Sequence, residues 1–141
     1  MIDLYLLIID RDGKAGRRQR LDELEELAAN FLPPNRGFFA ENAWQEVEVW
    51  LLAGHKLPSD SSWQAIRAER DPKELYFDPF VEERGLHKKP GDATQILAKE
   101  AASQYQRIRQ LCPEDIKNLE ERIHAWLSVS VWYWTRRRRT S

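Results

Sequence analysis

The sequence predicts an α/β domain, with a small parallel sheet formed by a strand-helix-strand unit and a mostly helical second half. Three observations predict it. An unbroken apolar run, Leu4 to Ile9, stops at Asp10; apolar residues then recur at helical spacing as far as Pro33-Pro34; and from Pro58 onward the strand signal vanishes until the last segment.

Residues 3 to 9 show no polar alternation, which reads as a strand buried on both faces, as in a parallel sheet. The polar turn Arg11-Asp12-Gly13-Lys14-Ala15-Gly16 leads into a helix near 17 to 31, in which Leu21, Leu24, Ala28 and Phe31 share a face. Gly37-Phe38-Phe39-Ala40 is a second, short strand. Asn42 then caps a helix near 43 to 53 with Trp44, Val47 and Leu51 on one side, and Gly54 ends it. This order is a βαβ unit, whose right-handed crossover points both strands the same way and gathers functional loops at one edge.

In the second half, residues 59 to 69 form a short helix around Trp63 and Ile66, and Asp71-Pro72 opens another. Asp92 caps a long helix with Ile96, Leu97, Ala101, Tyr105, Ile108 and Leu111 inward. Pro113 opens the next, with Ile116, Leu119 and Ile123 inward. Trp126 to Trp134 is rich in β-branched and aromatic residues and reads as an edge strand or a disordered end. The chain thus divides into a domain with a helical extension, 1–125, and an aromatic, Arg-rich segment, 126–141.

Composition narrows the function classes. With a single cysteine, Cys112, among 141 residues, a disulfide framework is excluded and a reducing cytoplasm is the expected compartment. No Cys/His spacing suggests zinc. No apolar run approaches the roughly 20 residues of a membrane span, and MIDLYLLIID lacks the basic region and cleavage site of a signal peptide, so no membrane partner is expected. The net charge of −1 hides an asymmetry: without Arg136 to Arg139, 18 basic residues face 23 acidic ones, a body of −5. That balance argues against a general nucleic-acid binder, although the Trp-Tyr-Trp stretch beside those arginines has the chemistry to stack on bases and hold phosphates.

The sharpest chemical feature is Asp10 and Asp12 where the first strand meets its loop. Alternation puts both carboxylates on one side, and paired hard oxygens are what Mg²⁺ takes. Glu46 and Glu48 lie in an apolar stretch where an unpaired carboxylate is costly to bury, and on a helix they point about 200° apart, so one alone reaches the site edge. Lys88 and Lys89, in a basic turn ending Pro90-Gly91, are phosphate-contact candidates. His55, His87 and His124 have no triad partner at readable distance and read as structural or solvated. Cys112, just before Pro113, sits where a helix dipole would lower its pKa, and no base accompanies it.

Residues Leu6-Leu7-Ile8-Ile9-Asp10-Arg11-Asp12-Gly13 and Glu46-Val47-Glu48-Val49-Trp50-Leu51-Leu52-Ala53 resemble the Toprim fold, in particular an uncharacterised bacterial Toprim-like family similar to the RloB-like and overcoming-lysogenization-defect nucleases. Ala98 to Ala101 and Cys112 to Asp115 resemble that family's helical tail. The resemblance implies a Mg²⁺- or Mn²⁺-dependent phosphodiester hydrolase acting on nucleic acid in bacterial defence, alongside an ATPase partner. It implies Asp10 and Asp12 as metal ligands, Glu48 as the carboxylate that assists the metal or water, and Lys88 and Lys89 on phosphate. Toprim proteins also carry a glutamate on an upstream strand, which this sequence does not show before Met1. The expectation is therefore a fragment or remnant, silent or weak alone, unless Glu41, Glu46 or Glu48 substitutes; the alternative is a non-catalytic interaction module of the same fold.

Overall fold

The computed structural model describes residues 3–87 and 91–137, with the backbone alone for 130–137. Strand β1 (Asp3–Asp10) runs parallel to β2 (Arg36–Ala43), from Asp3 opposite Arg36 to Asp10 opposite Ala43, and helix α1 (Arg17–Phe31) connects them. A parallel pair cannot be closed by a tight turn, so the α1 crossover is what the topology requires. The chain continues through α2 (Glu48–Ala53), α3 (Trp63–Ala68), a π-helical turn Lys73–Phe77 into α4 (Asp78–Glu83), α5 (Asp92–Ala102), α6 (Tyr105–Leu111), and a second π-helical turn Pro113–Lys117 into α7 (Asn118–Arg137). The domain is α/β and mostly helical, as the apolar run and the helical spacing predict.

Two linked apolar clusters form the helical core. Val49 and Leu52 of α2 meet Ile66, Phe77, Phe80 and Leu97, while Ala53 meets Ala101, Ile108 and Cys112. Gly54 permits this: its backbone is in the ordinary right-handed region, but a Cβ there would lie 2.5 Å from the Ala101 Cβ and 2.6 Å from its Cα. The sheet is braced from α7, where Trp126 meets Phe39 edge to face at 6.5 Å and closes on Gly37, and where the Arg122 guanidinium lies over the Phe39 ring.

The structure corrects four expectations. First, β1 is not buried on both faces: Tyr5 and Leu6, which point to opposite sides, are 47% and 50% exposed, because a two-stranded sheet gives β1 only one neighbour. Second, residues 126 to 134 are helical, continuing α7, since Trp126 and Arg122, four apart, both reach the sheet from one helix face. Third, Asn42 lies in β2 opposite Ile9, and α2 begins only at Glu48; the Gln45 backbone turns left-handed (φ 70°) and its carbonyl accepts the N–H groups of Arg11 and Asp12. Fourth, the helix expected from Asp92 to Leu111 breaks after Ala102, and Tyr105 and Ile96 face solvent.

At Ala40 the edge of β2 away from β1 is closed by α1. Ala40 donates its N–H to Glu25 Oε1 (2.7 Å) and accepts from Arg18 Nη1 at its carbonyl (2.9 Å), so two side chains of α1 stand in for a third strand. No backbone partner lies on the free edge of β1 among the described residues.

Candidate functional site

Asp10 ends β1, and its Oδ1 accepts the Val47 N–H (2.8 Å), so the carboxylate orders the entry to α2. An anionic acceptor at that point satisfies a helix-start amide and complements the helix dipole. Glu46 accepts the Lys73 N–H at Oε2 (2.8 Å), and the Lys73 ammonium lies 3.6 Å from Glu48 Oε1. Two elements distant in sequence are thereby clasped around one acidic edge.

The charges record that proximity. Partial burial holds the Glu46 carboxyl above its ordinary pKa, against the Lys73 N–H that lowers it; the like charges of Glu48, Glu74 and Asp10 push it further up. The Glu48 charge raises the Lys73 ammonium in turn. Glu46 therefore shares the edge with Glu48. The helical argument for choosing between them fails because Glu46 precedes α2 instead of lying in it. The edge opens into a cleft of about 720 Å³, lined among others by Glu48, Lys73, Glu74, Asp78 and His87.

Asp12 is placed differently. It sits in the loop with a left-handed backbone (φ 50°), and its Oδ2 accepts from Arg17 Nη2 at 3.0 Å. Among the described residues no group of three or more His, Cys, Asp or Glu side chains is gathered closely enough to hold a metal ion. Lys88 and Lys89 lie outside the described residues, and their phosphate-contact role with them; Arg138 and Arg139 do also.

Two further polar centres form around Asp115 and Glu41, with arginines that sequence reasoning passed over. Asp115, 1% exposed, accepts from the Trp44 N–H (2.8 Å), the Trp50 indole N–H (2.7 Å) and the Arg67 guanidinium. Glu41, also buried, meets Arg18 (3.0 Å) and Arg122 (3.4 Å). The only signal for Asp115 was its place in the Cys112 to Asp115 stretch, and Glu41 was named only as a substitute carboxylate; nothing local marked Arg67 or Arg122. His55 hydrogen-bonds at both ring nitrogens, to the Leu51 carbonyl (2.7 Å) and to Glu100 (3.0 Å), and so ties α2 to α5. The expected low pKa at Cys112 is reversed: burial, with the Asp115 charge second, pushes the thiol up to about 12.

No helix among the described residues is long and apolar enough to cross a membrane. Comparison of the chain with protein-family models, with curated proteins and with solved structures finds no match in any of the three.

Proposed function

We propose that this domain is a Toprim-like phosphodiester-handling unit, related to metal-dependent nucleases but with an incomplete donor set, and silent as a hydrolase on its own. The observation that supports it is the meeting of Glu46 and Glu48 at Lys73, beside Asp10 at the carboxyl end of a parallel strand. Open α/β sheets bind ligands at that end of their strands. In this reading nucleic acid is the ligand, approached in a bacterial cytoplasm beside an ATPase partner, as the resemblance implies. Lys73 is the cation at the edge able to meet a phosphate oxygen, and the carboxylates hold it in place.

Hydrolysis asks for more than this edge supplies. Metal-assisted phosphoryl chemistry needs a positioned ion and a group that manages the proton, the latter commonly contributing about 10² to 10⁴ in rate. Asp12 Oδ2 pairs with Arg17. The test is cleavage of single- and double-stranded DNA and RNA by the purified chain with millimolar Mg²⁺ or Mn²⁺, beside Asp10→Ala. The expected result is no turnover above the variant. Robust metal-dependent turnover that vanishes in Asp10→Ala would overturn the incomplete-site reading.

The interaction-module alternative draws on a separate observation, the exposed apolar side chains Tyr5, Leu6, Leu27 and Phe31. Binding of a protein partner with no affinity for nucleic acid would favour it.

A further inference from the structure

The two borders of the sheet differ in what occupies them. Asp3 donates its N–H to the Asn35 carbonyl (3.2 Å), and backbone direction alternates along a ladder, so Asp3, Tyr5, Leu7 and Ile9 turn their backbone groups toward β2. Leu4, Leu6, Ile8 and Asp10 turn theirs outward. On β2 the outward residues are Arg36, Phe38, Ala40 and Asn42. The Arg36 N–H is used by the Pro33 carbonyl (2.9 Å), that of Ala40 by Glu25 (2.7 Å) and that of Asn42 by Glu41 Oε1 (3.0 Å). Among the described residues, none of the outward N–H or C=O groups of β1 has a partner.

Water satisfies such groups, but not the side chains between them. Tyr5 and Leu6, on opposite faces, are each near half exposed, and the strand is apolar without interruption from Leu4 to Ile9. Edge strands that stay single are blunted by lysine, proline, a bulge or brevity. β1 carries none of these: it is 8 residues long, its register with β2 is unbroken, and it contains neither Lys nor Pro.

The strand is also complementary to a reversed copy of itself. In an antiparallel pair outward residues face outward residues, so a two-fold axis passes through a residue and not between two. An axis at Leu7 uses the whole strand. Leu4 then faces Asp10 of the second copy and Leu6 faces Ile8, each pair exchanging both of its backbone bonds, while Tyr5 faces Ile9 and Leu7 faces its own counterpart. At both ends Asp3 comes opposite Arg11, and opposite charges directly across a pair favour it. Arg11 makes no ion pair among the described residues, its guanidinium lying over the Trp44 ring, and Asp3 has Arg36 alone. Moving the axis to Leu6 or Ile8 shortens the described ladder and separates Asp3 from Arg11.

We infer that β1 is a self-association edge: two copies of this chain join β1 to β1, antiparallel about Leu7, into a four-stranded sheet. The pairing draws on neither Glu46, Glu48 nor Lys73, so it stands whether or not that edge handles phosphodiesters.

The test is sedimentation of the full chain over a range of concentrations, together with disulfide trapping. The chain should sediment as a dimer at high concentration. Facing residues that share no hydrogen bond have Cα atoms about 4.5 Å apart, within disulfide reach, whereas residues two positions out of register lie about 7–8 Å apart. Leu7→Cys should therefore oxidise to a covalent dimer and Leu6→Cys should not. Cys112 is a bystander in both, buried and with its thiol pushed up to about 12. Arg11→Asp sets like charges across both ends and should weaken the dimer about tenfold. Adding Asp3→Arg should restore it, a rescue that a purely intramolecular role for either residue would not give. A monomer at millimolar chain would overturn the inference and leave the edge to an extended segment of another protein. A bridge through Leu6→Cys in place of Leu7→Cys, or a dimer indifferent to Arg11→Asp, would overturn it equally.

Discussion

Asp115 has more donors than any other side chain in the core, and it is the residue whose loss should be felt most. Two tryptophans, Trp44 through its backbone and Trp50 through its indole, and the Arg67 guanidinium all converge on it. Removing one partner of a buried pair strands the other, so Asp115→Ala should cost about 3–5 kcal/mol in urea denaturation. Glu41 behaves oppositely. Burial raises its carboxyl above the ordinary value, and this outweighs the Asn42 N–H and the charges of Arg18 and Arg122. The protonated form is then favoured more in the folded than in the unfolded chain. Its contribution to stability is full below the unfolded pKa and is lost as pH rises through the raised folded one. Glu41→Gln should therefore flatten that part of the stability-pH curve and stay within about 1 kcal/mol of wild type at pH 7, since Arg18 and Arg122 keep Glu25 as a partner. A loss as large as that of Asp115→Ala would refute the sign. Cys112, with its thiol pushed up to about 12, should resist a disulfide reagent at pH 8 and react only when urea unfolds the chain.

Among the elements, Gly54 shows why a punctuating glycine is not always a conformational one. Its φ of −79° suits any residue, and what excludes a side chain is Ala101 against it, through its Cβ and Cα alike. Gly54→Ala should lower stability by about 1–3 kcal/mol, and Ala101→Gly in the same chain should recover part of the loss by removing the nearer methyl. The boundaries of β1 and α1 were legible because an apolar run and a 3.6-residue spacing are local signals. α2 was placed too early because Gln45 turns left-handed, a conformation few residues other than glycine, asparagine and aspartate favour and one its side chain does not announce. Trp126 was placed in a strand because β-branched and aromatic neighbours favour one; contact with Gly37, nearly ninety positions away in sequence, overrides that preference.

For the molecule as a whole, the sequence disclosed the part of the candidate site that is local. Asp10 ends an apolar run and was found. Glu46 and Lys73 meet through a backbone amide across 27 positions, and Arg122 reaches Glu41 across 81, separations no spacing rule encodes. The same two-stranded architecture leaves β1 exposed, and Leu6→Lys at its centre should change stability by less than about 0.5 kcal/mol while reducing concentration-dependent light scattering. Equal scattering would show that the strand does not seek a partner. The seal on β2 decides what such a partner could build. With Ala40 already bonded to Glu25 and Arg18, the β2 border is blocked at its middle, and β1 carries the more open one. Two molecules joined β1 to β1 would turn outward the border that α1 obstructs at Ala40, so edge-to-edge growth is disfavoured beyond a two-fold pair, where a sheet with both borders open would favour a fibre.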